Sequence, residues 1–383
     1  MDLNDHNNIP FPTDADAPRP TKQKKTPVAS ASGENGISKT RIGFKTIKAT
    51  DLIQTNFAPL ISAVDDLIVE GLTLLCGASK IGKSWFVLDL CHSVASGKNF
   101  LDRKTTEGDV LYLALEDSER RLKDRLIKLG FASNVPDGLE FTTRSDNVDN
   151  GLLQDIEAWI SKSKTPRLIV IDTLQKIRGK CRPGVNAYDA DYEIIGKLKN
   201  IADKNRISIV LVHHLNKMKA KDTSDPFDRI SGSTGLMAAA DSTILLLKDR
   251  TNNTATVART GRDIHGEDFV ITMNEGKWTS SGETAKQYKD EMLYQNSGIV
   301  AVIRELMNQS TVPSLEIATA DLKEYGAKKG YIEFATSDKA LVQSVEHLAP
   351  LLLEKDNIGV TSKGKVKGSS KRGLRFFRTD KKA

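Results

Sequence analysis

The chain has 383 residues, 39% hydrophobic and 28% charged, and its net charge of +6 divides into +3 over 1–50, −5 over 51–354 and +8 over 355–383. No apolar run reaches the roughly 18 residues of a membrane span, and the acidic start at Asp2 and Asp5 is unlike a secretory leader. Cys76, Cys91 and Cys181 form no CxxC pair, which excludes a disulfide framework and a structural zinc site, so a cytoplasmic protein of two or three folding units is expected.

Residues 1–40 contain Pro10, Pro12, Pro18, Pro20 and Pro27 and a Ser/Gly/Ala stretch. They are expected to form a disordered tail, because they bury too little apolar area to offset ordering entropy. Over 41–279, apolar runs (72–78, 109–115, 167–172, 207–214 and 242–249) alternate with helical patterns (83–96, 118–129, 151–162 and 188–203). Near-continuous apolar runs suit parallel strands covered on both faces. Their alternation with helices predicts an α/β fold, a mostly parallel sheet with right-handed crossovers. In the last helix Tyr192, Ile195, Leu198 and Ile201 recur at helical spacing. Residues 254–259 and 268–274 read as an antiparallel edge hairpin, and the polar stretch 280–291 reads as a linker. A small basic domain, 292–383, follows as helices over 298–308, 318–327 and 337–353, then a Gly/Lys-rich hairpin over 358–378. That order is winged-helix-like.

Gly77-Ala78-Ser79-Lys80-Ile81-Gly82-Lys83-Ser84 matches G-x-x-x-x-G-K-[ST], between a strand and a helix. The glycines let backbone N–H groups turn inward around phosphate oxygens, and the helix N-terminus adds positive partial charge. In such a loop Lys83 reaches the β- and γ-phosphates of ATP and the Ser84 hydroxyl ligates Mg²⁺. Asp172 ends the apolar run 167–172, at the strand end where open α/β sheets bind ligands, and is placed to hold Mg²⁺ through water. Hydrolysis also needs a group to polarise water. Glu116, at the tip of the strand after the P-loop helix, is the candidate. Asp117 is the alternative, with capping of the helix near Ser118 as its expected role. His213 and His214 end the next strand and point to opposite faces, so one of them can meet the γ-phosphate.

Two basic loops leave the same sheet edge. One carries Lys176, Arg178, Lys180 and Arg182; the other carries Lys217, Lys219 and Lys221. They read as nucleic-acid contacts that follow a phosphate backbone without reading sequence, or as solvated loops. In the C-terminal hairpin, Lys365, Lys367, Lys371 and Arg372 alternate with Val366, Leu374, Phe376 and Phe377. The apolar residues can pack a wing while the cations reach DNA phosphates; protein docking is the alternative.

The stretches GASKIGKS, LYLALEDSERRL, LIVIDTLQKI, VLVHHLNK, DRISGSTGLMAAADS and ARTGRD lie between residues 70 and 265. Together they resemble the RecA-like P-loop ATPases, and within them the RepA-like replicative helicase group of plasmids and phages. The resemblance implies a ring, commonly a homo-hexamer, with ATP at subunit interfaces, single-stranded DNA as partner and replication proteins as further partners. It implies that Glu116 is the catalytic glutamate and His214, rather than His213, the sensor. It points to Arg259 and Arg262 as arginines completing a neighbour's site, Arg262 first. A guanidinium suits that role because it offers fixed donors to the charge on the γ-phosphoryl group. The expected function is an ATP-hydrolysing DNA helicase of a mobile element or phage. A recombination or repair ATPase without unwinding activity and an ATP-switched DNA-binding regulator are the alternatives.

Overall fold

The computed structural model describes residues 46–179, 187–215, 225–230, 233–248, 252–366 and 371–379. The tail expected over 1–40 lies outside them. The chain divides into two units, Met1–Ala58 and Pro59–Ala383. In the first, a short helix, α1 (Ala49–Gln54), buries none of its residues.

The second unit opens with a small antiparallel ribbon, β1 (Ser62–Val64) and β2 (Ile68–Val69). Strands and helices then alternate: β3 (Gly71–Gly77), α2 (Lys83–Ala95), β4 (Asp109–Ala114), α3 (Glu119–Lys128), β5 (Leu139–Thr142) and α4 (Leu152–Lys162). Next come β6 (Pro166–Asp172), α5 (Leu174–Ile177), α6 (Ala187–Asn205), β7 (Ser208–His214), α7 (Ser233–Ala239) and β8 (Ser242–Lys248). β9 (Thr254–Gly261), β10 (Phe269–Asn274) and β11 (Lys277–Thr284) follow with no helix between them.

These strands form one nine-stranded sheet in the order β11-β10-β9-β8-β3-β7-β6-β4-β5. The pairs from β8 across to β5 are parallel, and β9, β10 and β11 extend the sheet antiparallel. The expected edge hairpin is therefore a three-stranded meander. β9 pairs with β8 along its length and β11 forms the edge.

Both faces of the parallel part are covered, which is why the middles of its strands are mainly apolar on both sides. Val170, Val210 and Val212 face a core shared with Phe86 and Leu90 of α2 and Leu122 of α3. Ile169, Ile171, Ile209 and Leu211 face the opposite core, with Ile156 of α4, Leu198 of α6 and Leu236 of α7. Tyr192 departs from its expected place on the buried stripe of α6. It is 49% exposed, and Ile194 and Ile195 fill that position.

Residues 280–291 are not a linker. β11 runs to Thr284, and α8 (Ala285–Asn296) starts there with a capping box. Gln287 N–H donates to Thr284 Oγ1 at 3.1 Å, and Thr284 N–H donates to Gln287 Oε1 at 2.9 Å. T-x-x-Q is the sequence signal for this, set in a stretch too polar to suggest a helix. α9 (Gly298–Gln309), β12 (Ser314–Ala318), α10 (Thr319–Lys328), α11 (Asp338–Asp356), β13 (Ile358–Lys363) and β14 (Gly373–Arg378) complete the described chain. The sheet order there is β12-β14-β13, over a core of Val302, Leu322, Leu341, Val345 and Phe376. β12 is an addition to the expected three helices and hairpin; its five residues lie too close to α10 to read as a separate run.

Candidate active site

The parallel register aligns the strand ends that build the site. Gly77 pairs with His214, and Ala114 pairs with Asp172. β7 lies between the P-loop strand β3 and β6, so Asp172 approaches the loop from across one strand. The cleft at these ends has a volume of about 730 Å³, and the loop from Ser79 to Ser84, Glu116, Asp172 and His214 line it.

The loop needs its glycines for space. A Cβ on Gly77 would meet Ile81 Cδ1 at 2.6 Å, and Gly82 has a φ of +105°. Gly82 is also pressed from outside. A Cβ there would meet Met273 Cε at 2.4 Å, and the Trp278 indole N–H donates to Gly82 O at 3.2 Å. Trp278 is a functional neighbour with no motif to announce it. Its signal is a buried indole whose N–H requires an acceptor.

Lys83 is almost fully buried, and its ammonium donates to Gly77 O at 2.8 Å and Ala78 O at 2.9 Å. Burial lowers its pKa, against the opposing charge of Asp172. His214 Nδ1 lies 3.3 Å from Lys83 Nζ, and His214 Nε2 lies 3.9 Å from Glu116 Oε1. The His214 pKa is lowered, first by burial and then by Lys83. His213 is buried, on the other side of the strand. Ser84 Oγ donates to Asp172 Oδ2 at 3.1 Å, and Thr173 Oγ1 donates to Glu116 Oε1 at 3.3 Å. Desolvation raises the Asp172 pKa, with the Ser84 and Tyr112 hydrogen bonds acting against it. Thus Lys83, Ser84, Glu116, Asp172 and His214 converge on one cleft.

Asp117 does not cap α3. Ser118 does, accepting from Arg121 N–H at 3.4 Å. Asp117 stands one residue outside the helix and is nearly buried, so its charge needs partners. It pairs with Arg121 at 3.0 Å and with Arg125. Both arginines line the cleft wall beside Trp85.

The two candidate arginines of β9 have opposite environments. The Arg259 side chain is 2% exposed and ion-pairs with Asp66 at 2.9 Å. Its guanidinium also donates to Glu267 O and Asp66 O and lies over the Phe269 ring. That is a structural anchor, and the expectation that Arg259 reaches a neighbour's phosphate is corrected accordingly. Arg262 is 64% exposed, with one ion pair to Asp241 at 3.5 Å.

Of the basic-loop residues, Lys176 is exposed at the end of α5. Arg178 is held by Asp191 of α6 through two hydrogen bonds, 2.6 and 2.5 Å. A buried carboxylate takes a bidentate partner, so Arg178 fastens the loop rather than projecting from it. Lys180, Arg182, Lys217, Lys219, Lys221 and Lys367 lie outside the described residues. Lys365, Lys371 and Arg372 are exposed, with Lys371 3.1 Å from Asp321.

Residues 38–220 match the family model described as an AAA domain. The matched segment is a little under half of the chain. With the P-loop after β3 and Asp172 at the end of β6, β7 between them, the core has a RecA-like P-loop fold. Among solved structures, one of a DnaB-like replicative helicase and its interactions with primase is similar at 15% identity and a TM-score of 0.46, covering 55% of this chain and 58% of that one. A KaiC-like protein from the hyperthermophilic archaeon Pyrococcus horikoshii is similar at 14% identity and a TM-score of 0.42, covering 57% of this chain and 95% of that one. The donor set in the ATPase cleft fits a magnesium–nucleotide complex. A lysine and a helix N-terminus offer donors to phosphate, while a hydroxyl and a carboxylate within 3.1 Å of each other offer oxygens to a hard cation.

Proposed function

We propose that the protein is a replicative DNA helicase of a mobile element or phage: a ring, commonly hexameric, that hydrolyses ATP between subunits to move on single-stranded DNA. The position of Arg262 carries this reading. Its backbone N–H donates to Asp241 O at 3.1 Å, and Asp241 N–H donates to Leu72 O at 2.9 Å. Arg262 is therefore level with the start of β3, whereas the P-loop begins at its end, about five residues or roughly 17 Å of strand away. An exposed guanidinium so far from its own cleft supports the reading that Arg262 completes a neighbour's.

Within one cleft, Lys83 supports the β- and γ-phosphate charge and Glu116 accepts the proton of the attacking water. Thr173 fixes one Glu116 oxygen, and His214 presents a neutral imidazole to the terminal phosphate. Ser84 and, through water, Asp172 would hold Mg²⁺, which when bound supplies charge neutralisation to the phosphate oxygens.

The order α9-β12-α10-α11-β13-β14 supports reading 292–383 as a winged helix. Its charge supports DNA contact through the wing. Residues 358–378 contain seven basic and no acidic residues. The exposed face of α11, the helix expected to read bases in such folds, carries Asp338, Glu346 and Glu354 against Lys339 and Lys355. Contact with phosphates without sequence preference follows from that distribution.

The test is ATP turnover with and without single-stranded DNA, together with separation of a forked duplex and a sizing measurement with and without ATP. DNA-stimulated turnover, strand separation and a ring-sized assembly are expected. Stimulated turnover without strand separation would favour a repair-type ATPase, and preference for one duplex sequence with slow turnover would favour a regulator.

A further inference from the structure

Tyr112 sits in the middle of β4, in a run whose other members are Val110, Leu111, Leu113, Ala114 and Leu115. Its ring is fully buried in the core beneath the P-loop helix and lies 6.0 Å from that of Phe141. A hydroxyl there has lost its water and requires a partner. It finds Asp172 Oδ2 at 3.2 Å, the same oxygen that accepts from Ser84 at 3.1 Å.

Two donors on one oxygen restrict the carboxylate's rotation about Cβ–Cγ. Among the described residues no side chain donates to Oδ1, which is left for a hydrated cation. The two donors differ in setting. Ser84 lies in the first turn of α2, directly after the phosphate loop, whereas Tyr112 is fixed in the sheet. We propose that Tyr112 is a positioning residue: its hydroxyl holds Asp172 in the orientation that binds the nucleotide's divalent cation. Partners one step removed from a metal commonly set its affinity by 10- to 100-fold. The inference rests on the reading of Asp172 as the cation's carboxylate.

The test is equilibrium binding of a fluorescent ADP analogue to the full chain, titrated with Mg²⁺ and repeated in chelator, for wild type, Tyr112→Phe and Asp172→Asn. Tyr112→Phe should keep its affinity in chelator to within about twofold, keep its melting temperature to within a few degrees, and need about tenfold more Mg²⁺ for half-maximal coupling. Asp172→Asn should need still more. If Asp172→Asn shifts and Tyr112→Phe does not, the positioning role is overturned alone. If Asp172→Asn leaves the Mg²⁺ dependence unchanged, the reading of Asp172 fails and the inference falls with it. An equal loss with and without Mg²⁺ in Tyr112→Phe would mark a merely structural tyrosine and overturn the proposal.

Discussion

Lys83 and His214 are close enough, 3.3 Å between Nζ and Nδ1, that one of the two must be uncharged at rest. Burial favours the neutral imidazole, and with Lys83 donating to Nδ1 the proton sits on Nε2, toward Glu116. A neutral histidine with a fixed tautomer can report on the terminal phosphate without competing with Lys83 for it. In the proposed mechanism the carboxylate opposite, Glu116, does the proton chemistry. Glu116→Gln keeps the size and the hydrogen bond to Thr173 but cannot take a proton. It should bind ATP with near-normal affinity and lose turnover by about 10² or more, as measured by nucleotide binding beside steady-state phosphate release. Normal turnover would remove Glu116 from its role. Glu116 and His214 could be singled out in the sequence because each ends an apolar run, where strand geometry delivers it to the sheet edge, and Lys83 because it completes the P-loop motif. The sequence put Arg262 first, but the burial of Arg259 was not legible. It depends on Asp66, 193 positions from Arg259 in the chain, and only the folded ribbon brings them together.

Asp89 lies in the middle of α2, the helix that presents the P-loop, and is only 5% exposed. Desolvation pushes its carboxyl up to about 6, against a smaller opposing effect of Lys277. The fold thus prefers the protonated acid. The stability this gives is complete below the unfolded value near 3.8 and is lost as pH rises through about 6. Asp89→Asn should therefore stabilise the protein at pH 7 by about 1–3 kcal/mol, and the gain should vanish near pH 4. Thermal melts of both proteins across that range check it; a gain independent of pH would contradict the titration. At the scale of elements the parallel sheet was the most legible part, since continuous apolar runs have few other uses. The ends of the ATPase region were less so. β11 and α8 are polar because one face of each is solvated, and polarity of that kind resembles a linker until the capping box is noticed.

Across the whole molecule, the proposed action of Arg262 on a neighbour's cleft would make turnover a property of the assembly. Lys83→Ala subunits keep a working Arg262, and Arg262→Ala subunits keep a working P-loop. Mixed at varying ratios, the two inactive variants should recover part of the wild-type turnover, because some interfaces then combine an intact cleft with an intact arginine. No recovery at any ratio would withdraw support for action in trans. The basic excess at the C-terminus was visible as bare arithmetic. Its assignment to the hairpin was also legible, from the alternation of cations with Val366, Leu374, Phe376 and Phe377.

Trp278 touches the P-loop carbonyl of Gly82, Trp85 lines the same cleft, and the remaining tryptophan, Trp159, donates instead to Glu140 on the far side of the sheet. The protein thus contains its own optical reporter. Two of its three indoles border the phosphate-loop cleft, and the third serves as an internal reference. Intrinsic emission should change when nucleotide is added and should still change in Trp159→Phe. The nucleotide-dependent change should vanish in the Trp85→Phe/Trp278→Phe double variant, giving a label-free readout of nucleotide binding at the cleft.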